Sequence, residues 1–140
     1  MNRLVIAFFF LVISVSQSFG QTKTAVQNSQ QQLTRILFLF DASQSMFGRW
    51  ESNNKFEIAK KLLSEIVDSL HTMNNVEMAL HIYGHTKKFP PQDCDDNQLE
   101  VPFGKANGYR IKDKLNSITP SGTTPIAQSL EACGKDFPEG

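Results

Sequence analysis

Apolar and polar positions change rhythm several times along the chain, and each rhythm predicts an element. Ile36-Leu37-Phe38-Leu39-Phe40 is an unbroken apolar run ending at Asp41. A short run without alternation suits a strand covered on both faces, as in a parallel sheet. From Phe56 to Leu70 the period is helical: Ala59, Leu62, Leu63, Ile66, Val67 and Leu70 form one stripe, with Lys60, Lys61, Ser64, Glu65 and Asp68 opposite. Val76, Met78, Leu80 and Ile82 then alternate with Glu77, Ala79, His81 and Tyr83, a strand ending near Gly84. Residues 84–98 carry Gly, Pro-Pro and several Asp and read as a loop. Leu99–Phe103 reads as a short edge strand, because Pro102 cannot donate to a sheet ladder. Ile111, Leu115 and Ile118 space a second helix. A third opens at Thr124-Pro125, with Thr124 as N-cap, Pro125 at the first helical position, and Ile126, Leu130 and Cys133 on its apolar face.

The first 20 residues follow another logic. Asn2 and Arg3 precede an apolar run from Leu4 to Ile13, and small residues follow to Gly20. This is the layout of a secretory signal peptide, with cleavage expected after Gly20. The run is shorter than the about 20 apolar residues of a spanning helix. No transmembrane span is therefore expected after cleavage, and export to the periplasm, cell surface or exterior is. Residues 21–33, rich in Gln, Thr, Ser and Asn, read as a flexible leader, so the folded part is expected over 34–140.

Composition narrows the function classes. The 14 Lys+Arg balance the 14 Asp+Glu, which gives no electrostatic basis for nucleic acid as a partner. The length of 140 residues suits one domain. Export permits a disulfide, but Cys94 falls in a loop at the sheet's top edge and Cys133 well down the third helix, so the two are not expected to bond.

Strand, helix, strand, edge strand, helix, helix is an α/β order. Ligands of such sheets bind beyond the carboxyl ends of the strands. Asp41-Ala42-Ser43-Gln44-Ser45 stands there, offering a carboxylate and two hydroxyls at alternate positions that can wrap one hard cation. A turn or cap cluster is the competing reading. Ser121-Gly122-Thr123-Thr124 adds hydroxyls at another helix start, where capping again competes.

Asp41–Ser45, the helix over Lys55–Leu70 and Gly122-Thr123-Thr124-Pro125 together resemble a von Willebrand factor type A (VWA) domain, over about residues 34–140. The stretch FGRWESNNKFEIAKKLL is similar to bacterial members. The resemblance implies a doubly wound, Rossmann-like, mostly parallel sheet with an antiparallel edge strand, and a metal-ion-dependent adhesion site (MIDAS) on its top edge. Asp41, Ser43, Ser45 and Thr124 match the ligand positions, with Thr123 ranked second to Thr124. The family's further Asp, after the next core strand, has no counterpart; Asp136 is expected beyond a helix. A C-terminally incomplete fold is therefore expected, with Ile36–Phe40 partnered on one side only.

The implied ion is Mg²⁺, with Mn²⁺ or Ca²⁺ as variants. A site poor in direct carboxylates leaves an open position for an Asp or Glu of a partner protein. The expected function is thus non-catalytic, cation-dependent protein binding. A hydrolase using Ser43, Ser45 or Asp41 as nucleophile is the alternative, but no G-x-S-x-G elbow, P-loop or His base beside a Ser accompanies them. A scaffold subunit of an envelope complex is a third reading.

Other groups carry weaker expectations. His85 reads as an exposed loop residue, or else a rim residue near the ion. His81 belongs on a strand face and His71 at a helix end, and the three His lack zinc spacing. Asp93, Asp95 and Asp96 read as a solvated loop, with Ca²⁺ as the alternative. Arg49-Trp50 reads as a recognition pair, with Trp50 over the core as the competing placement.

Overall fold

The computed structural model describes residues 32–139; the expected signal peptide and nearly all of the leader lie outside them. Strand β1 (Thr34–Asp41) is followed by a 3₁₀ turn over Gln44–Phe47 and a tiny ribbon, β2 (Arg49–Trp50) with β3 (Asn53–Asn54). Then come α1 (Lys55–Leu70), β4 (Val76–Tyr83), β5 (Asn97–Gly104), α2 (Gly108–Ser117) and α3 (Ile126–Asp136). The main sheet has the order β1-β4-β5. β1 and β4 are parallel, from Thr34↔Val76 to Asp41↔Tyr83. β5 is antiparallel to β4, so the sheet is mixed and the fold α/β. Among the described residues β1 has one strand partner, β4.

Alternation along β4 divides the two faces. Met78, Leu80 and Ile82 join Phe40, Phe56, Leu63, Val67, Ile111 and Leu115 in the core with α1 and α2. Full burial of each such side chain contributes about 1.5–3 kcal/mol. His81, on the other face, meets Asp136 of α3. Asn54 starts α1, its side-chain oxygen accepting from Glu57 N–H at 2.8 Å. Pro102 lies in β5 at the sheet edge, where the register with β4 shifts between Met78 and His81.

Four expectations need correction. Leu62 and Ile66 of the α1 stripe are 53% and 49% exposed. They sit on the flank of α1 away from Gly108, whose backbone lies against Val67 and His71. The six-residue stripe covers a wider arc than one end of a three-stranded sheet can bury. In α3, Cys133 is buried, but Ile126 and Leu130 are exposed and Ser129 takes the inner position. Finally, Thr124 does not cap α3: Pro125 holds the cap position at φ −83, ψ 62, outside the helical region, and no side-chain cap bond forms. Asp136 is the last residue of α3 rather than lying beyond it.

Candidate functional site

Two loops are drawn together beyond the carboxyl ends of β1 and β4. The first continues β1. Ala42 N–H donates to the Tyr83 carbonyl at 2.8 Å, and Ser43 forms a parallel bridge with Gly122. The second loop is tied to β4 through Gly84, whose carbonyl accepts from Ser121 N–H at 3.2 Å and Gly122 N–H at 2.8 Å. Gln44 N–H donates to the Gly122 carbonyl at 2.9 Å. Gly84 has φ +76, and a Cβ there would lie 2.6 Å from both Ser43 N and the Thr123 carbonyl oxygen. Only glycine fits that crossing of three backbones.

Within this frame the Asp41 carboxylate accepts from Ser43 N–H at 2.7 Å, fixing the turn. The Ser43 and Ser45 hydroxyl oxygens are 3.1 Å apart. Ser43 holds the cap position of the 3₁₀ turn but makes no side-chain cap bond. Ser43, Ser45, Thr123 and Thr124 line one cavity of about 560 Å³, together with Gln44, Phe89 and Gln92. The structure therefore brings Ser43, Ser45 and Thr124 to one cavity, with Asp41 bonded beneath Ser43. The Thr123 hydroxyl donates to the Asp93 carbonyl at 2.5 Å. Burial, reinforced by the Asp41 charge beside it, pushes the Tyr83 phenol well above its ordinary value.

Loop 84–96 is organised by a residue read from sequence as solvated. Asp96 is fully buried. Its carboxylate accepts from Thr86 N–H and hydroxyl at 2.9 and 2.7 Å and from Lys87 N–H at 3.3 Å. Asp93 pairs with Lys87 at 2.8 Å. His85 is neither exposed nor at the cavity: its Nε2 lies 2.6 Å from Glu100, whose other oxygen meets Lys114 at 2.5 Å. Trp50 is 56% exposed and does not cover the core. Both cysteines are free, Cys94 exposed and Cys133 buried.

Sequence reading missed one further grouping. His81 Nδ1 lies 2.6 Å from Asp136 Oδ2, and Cys133 Sγ lies close to both. Burial, reinforced by the Asp136 charge, pushes the Cys133 thiol up. A Cys-x-x-Asp pair at helical i, i+3 spacing was the available signal; its partner is 52 residues upstream of the Cys, on a strand.

No family model matches the chain. The uncharacterized protein YwmC of Bacillus subtilis (strain 168) is 29% identical over 136 residues, covering 92% of this chain and 60% of YwmC. The chain thus spans about three fifths of that relative's length. Among solved structures, the SpRpn10 VWA domain superposes with a TM-score of 0.59 at 13% identity, covering 74% of this chain and 50% of that one. The fold is VWA-like. Two further VWA-like neighbours share this fold. The vWF domain of the type V pili tip protein Mfa5 from Porphyromonas gingivalis gives a TM-score of 0.53 at 17% identity, with coverage of 74% and 32%. Proximal thread matrix protein 1 of the mussel byssus, whose structure has a zinc-occupied MIDAS motif, gives 0.55 at 24% identity, with coverage of 77% and 26%. Among the described residues no helix is long and apolar enough to cross a membrane.

Proposed function

We propose that this chain is the cation-binding part of a non-catalytic, exported protein-binding module, with Asp41, Ser43, Ser45 and Thr124 holding one Mg²⁺, or Mn²⁺ or Ca²⁺ in its place. On this reading, α1 and α2 on one face of the sheet and α3 on the other form part of a doubly wound layer. The observation that carries the proposal is the state of the hydroxyls. Ser43 and Ser45 meet at 3.1 Å and neither starts a helix by capping it. Thr124 faces the same cavity, freed from the cap role by Pro125. Thr123 is spent on a carbonyl, which favours Thr124 of the two.

These donors fit the ion. All are hard oxygens, which suit Mg²⁺ and its relatives. Asp41 is the one carboxylate, and its bond to Ser43 N–H lets it orient the serines from behind. The bound ion would supply a positive charge with open coordination sites. The chain's own part is to present three neutral hydroxyls at a cavity mouth, leaving that charge for an Asp or Glu of a protein partner. Phe89, 47% exposed, lines the cavity, and Phe47 and Trp50, 53% and 56% exposed, follow Ser45 by two and five residues in sequence. Aromatics of this kind supply apolar contact at protein interfaces.

Calorimetric titration of the purified chain with Mn²⁺ and Mg²⁺ tests the reading. One ion per chain is expected, with affinity lowered in Asp41→Ala, Ser45→Ala and Thr124→Ala while the circular dichroism spectrum stays unchanged. Binding equally tight in all three variants would overturn it. Ester or phosphate hydrolysis lost in Ser43→Ala would favour an enzyme instead.

A further inference from the structure

On the face of the sheet away from α1, three side chains of different chemistry converge beneath α3. His81 of β4 is buried, Cys133 of α3 is buried, and Asp136 at the end of α3 is 15% exposed. One ligand atom from each lies within 4.8 Å of the other two. We propose that His81 Nδ1, Cys133 Sγ and an Asp136 carboxylate oxygen form a second metal site, selective for a borderline cation such as Zn²⁺ and separate from the hydroxyl-lined cavity.

The donor set points to that class of ion. A thiolate and an imidazole favour Zn²⁺ over Mg²⁺ or Ca²⁺, which take oxygen ligands. Thiolate and carboxylate together match the double charge of the ion. With bond lengths of about 2.0–2.3 Å, a tetrahedral ion holds its ligand atoms about 3.3–3.8 Å apart. The three atoms lie within 4.8 Å of one another, so small side-chain shifts reach that geometry. The 2.6 Å His81–Asp136 contact is shorter, a hydrogen-bond distance. Binding would break that hydrogen bond and release the thiol proton to solvent, opening the contact by roughly an ångström.

The imidazole is also oriented as a ligand needs to be. His81 Nε2 lies 3.0 Å from Asn97 Oδ1 of β5. An N–H donated there leaves the Nδ1 lone pair directed at Asp136 and Cys133. A ligating His is held in this way by a bond from its other ring nitrogen. The partly exposed Asp136 gives an entry path and leaves the fourth position to water.

Co²⁺ is the probe, added to the full-length chain under reducing conditions in a Cys94→Ser background, which removes the other thiol. The expected result is one tetrahedral Co²⁺ with a thiolate charge-transfer band, displaced by Zn²⁺, lost in Cys133→Ser and retained in Thr124→Ala. Retention in Thr124→Ala separates this site from the cavity proposal, which can fail without touching it. Asn97→Ala is expected to weaken binding about 10- to 100-fold. Asp136→Asn, at a partly exposed helix end, guards against misfolding of the Cys133 variant and is expected to weaken binding by at least about tenfold. A spectrum without the sulfur band, a band that survives Cys133→Ser, or an affinity unchanged in Asp136→Asn would overturn the proposal.

Discussion

Gly84→Ala is the sharpest test of how the cavity is built. The residue sits at φ +76, where an alanine in the left-handed region costs about 1–2 kcal/mol. Its Cβ would lie 2.6–2.7 Å from Ser43 N, Ser43 Cα and the Thr123 carbonyl oxygen, against a working minimum of 3.0 Å. All three are backbone atoms, so neither loop can yield by a side-chain rotation. Forcing such an overlap adds about 1–3 kcal/mol. Together these give a destabilisation of about 2–5 kcal/mol. The loops must also part by a few tenths of an ångström where Ser43 and Thr123 face each other. Loss of one hydroxyl contact there, about 1–1.5 kcal/mol, would weaken Mn²⁺ about tenfold. Urea unfolding with an unchanged slope gives the first quantity and Mn²⁺ titration the second. Gly134→Ala is the control: nothing lies within 4 Å of its Cβ, and the helix should gain up to about 1 kcal/mol. A Gly84→Ala protein as stable as the parent, with unaltered Mn²⁺ affinity, would refute the close approach of the three segments.

Two further outcomes are expected. Thr124→Val should abolish most cation affinity with stability within about 0.5 kcal/mol, whereas Thr123→Val should cost about 1 kcal/mol through the lost bond to Asp93, as denaturation of both would show. Glu100 feels burial, which raises its pKa, but the bonds from Lys114 and His85 outweigh it and hold the carboxyl below its ordinary 4.5. Its stabilising contribution is therefore complete above pH 4.5 and is lost as pH falls through the lowered value. The stability gap between the parent and Glu100→Gln, about 2 kcal/mol near neutrality, should close on acidification; a gap independent of pH down to acid unfolding would contradict the pairing.

What the sequence made legible is what period and punctuation encode. The apolar run at 36–40, the stripe through α1 and the alternation in β4 each lie within one element, so local pattern sufficed. Pro102 marked β5 as an edge strand, and the order β1-β4-β5 puts it at the edge. The β2–β3 ribbon could not be read, because two-residue strands have no period. Burial of Leu62, Ile66 and Leu130 was overestimated, because periodicity gives the direction of a face and not the width of the surface beneath it. Asp96 and His85 read as solvated from sequence because their partners, Thr86 and Lys87 for the one and Glu100 for the other, meet them only after the loop closes on β5. For the candidate site, sequence located Asp41, Ser43, Ser45 and Thr124 near one edge; that Thr123 is committed to Asp93 needed coordinates.

The cavity walls are pinned by main-chain groups: Ser121, Gly122 and Gln44 donate through their amides, and Gly84 and Gly122 accept through their carbonyls. The side chains of Gln44, Phe89 and Gln92 take no part in these main-chain bonds. Under the proposed function, mutational drift or a randomised library at those three positions would alter the choice of partner while the hydroxyls of Ser43, Ser45 and Thr124 stay in place.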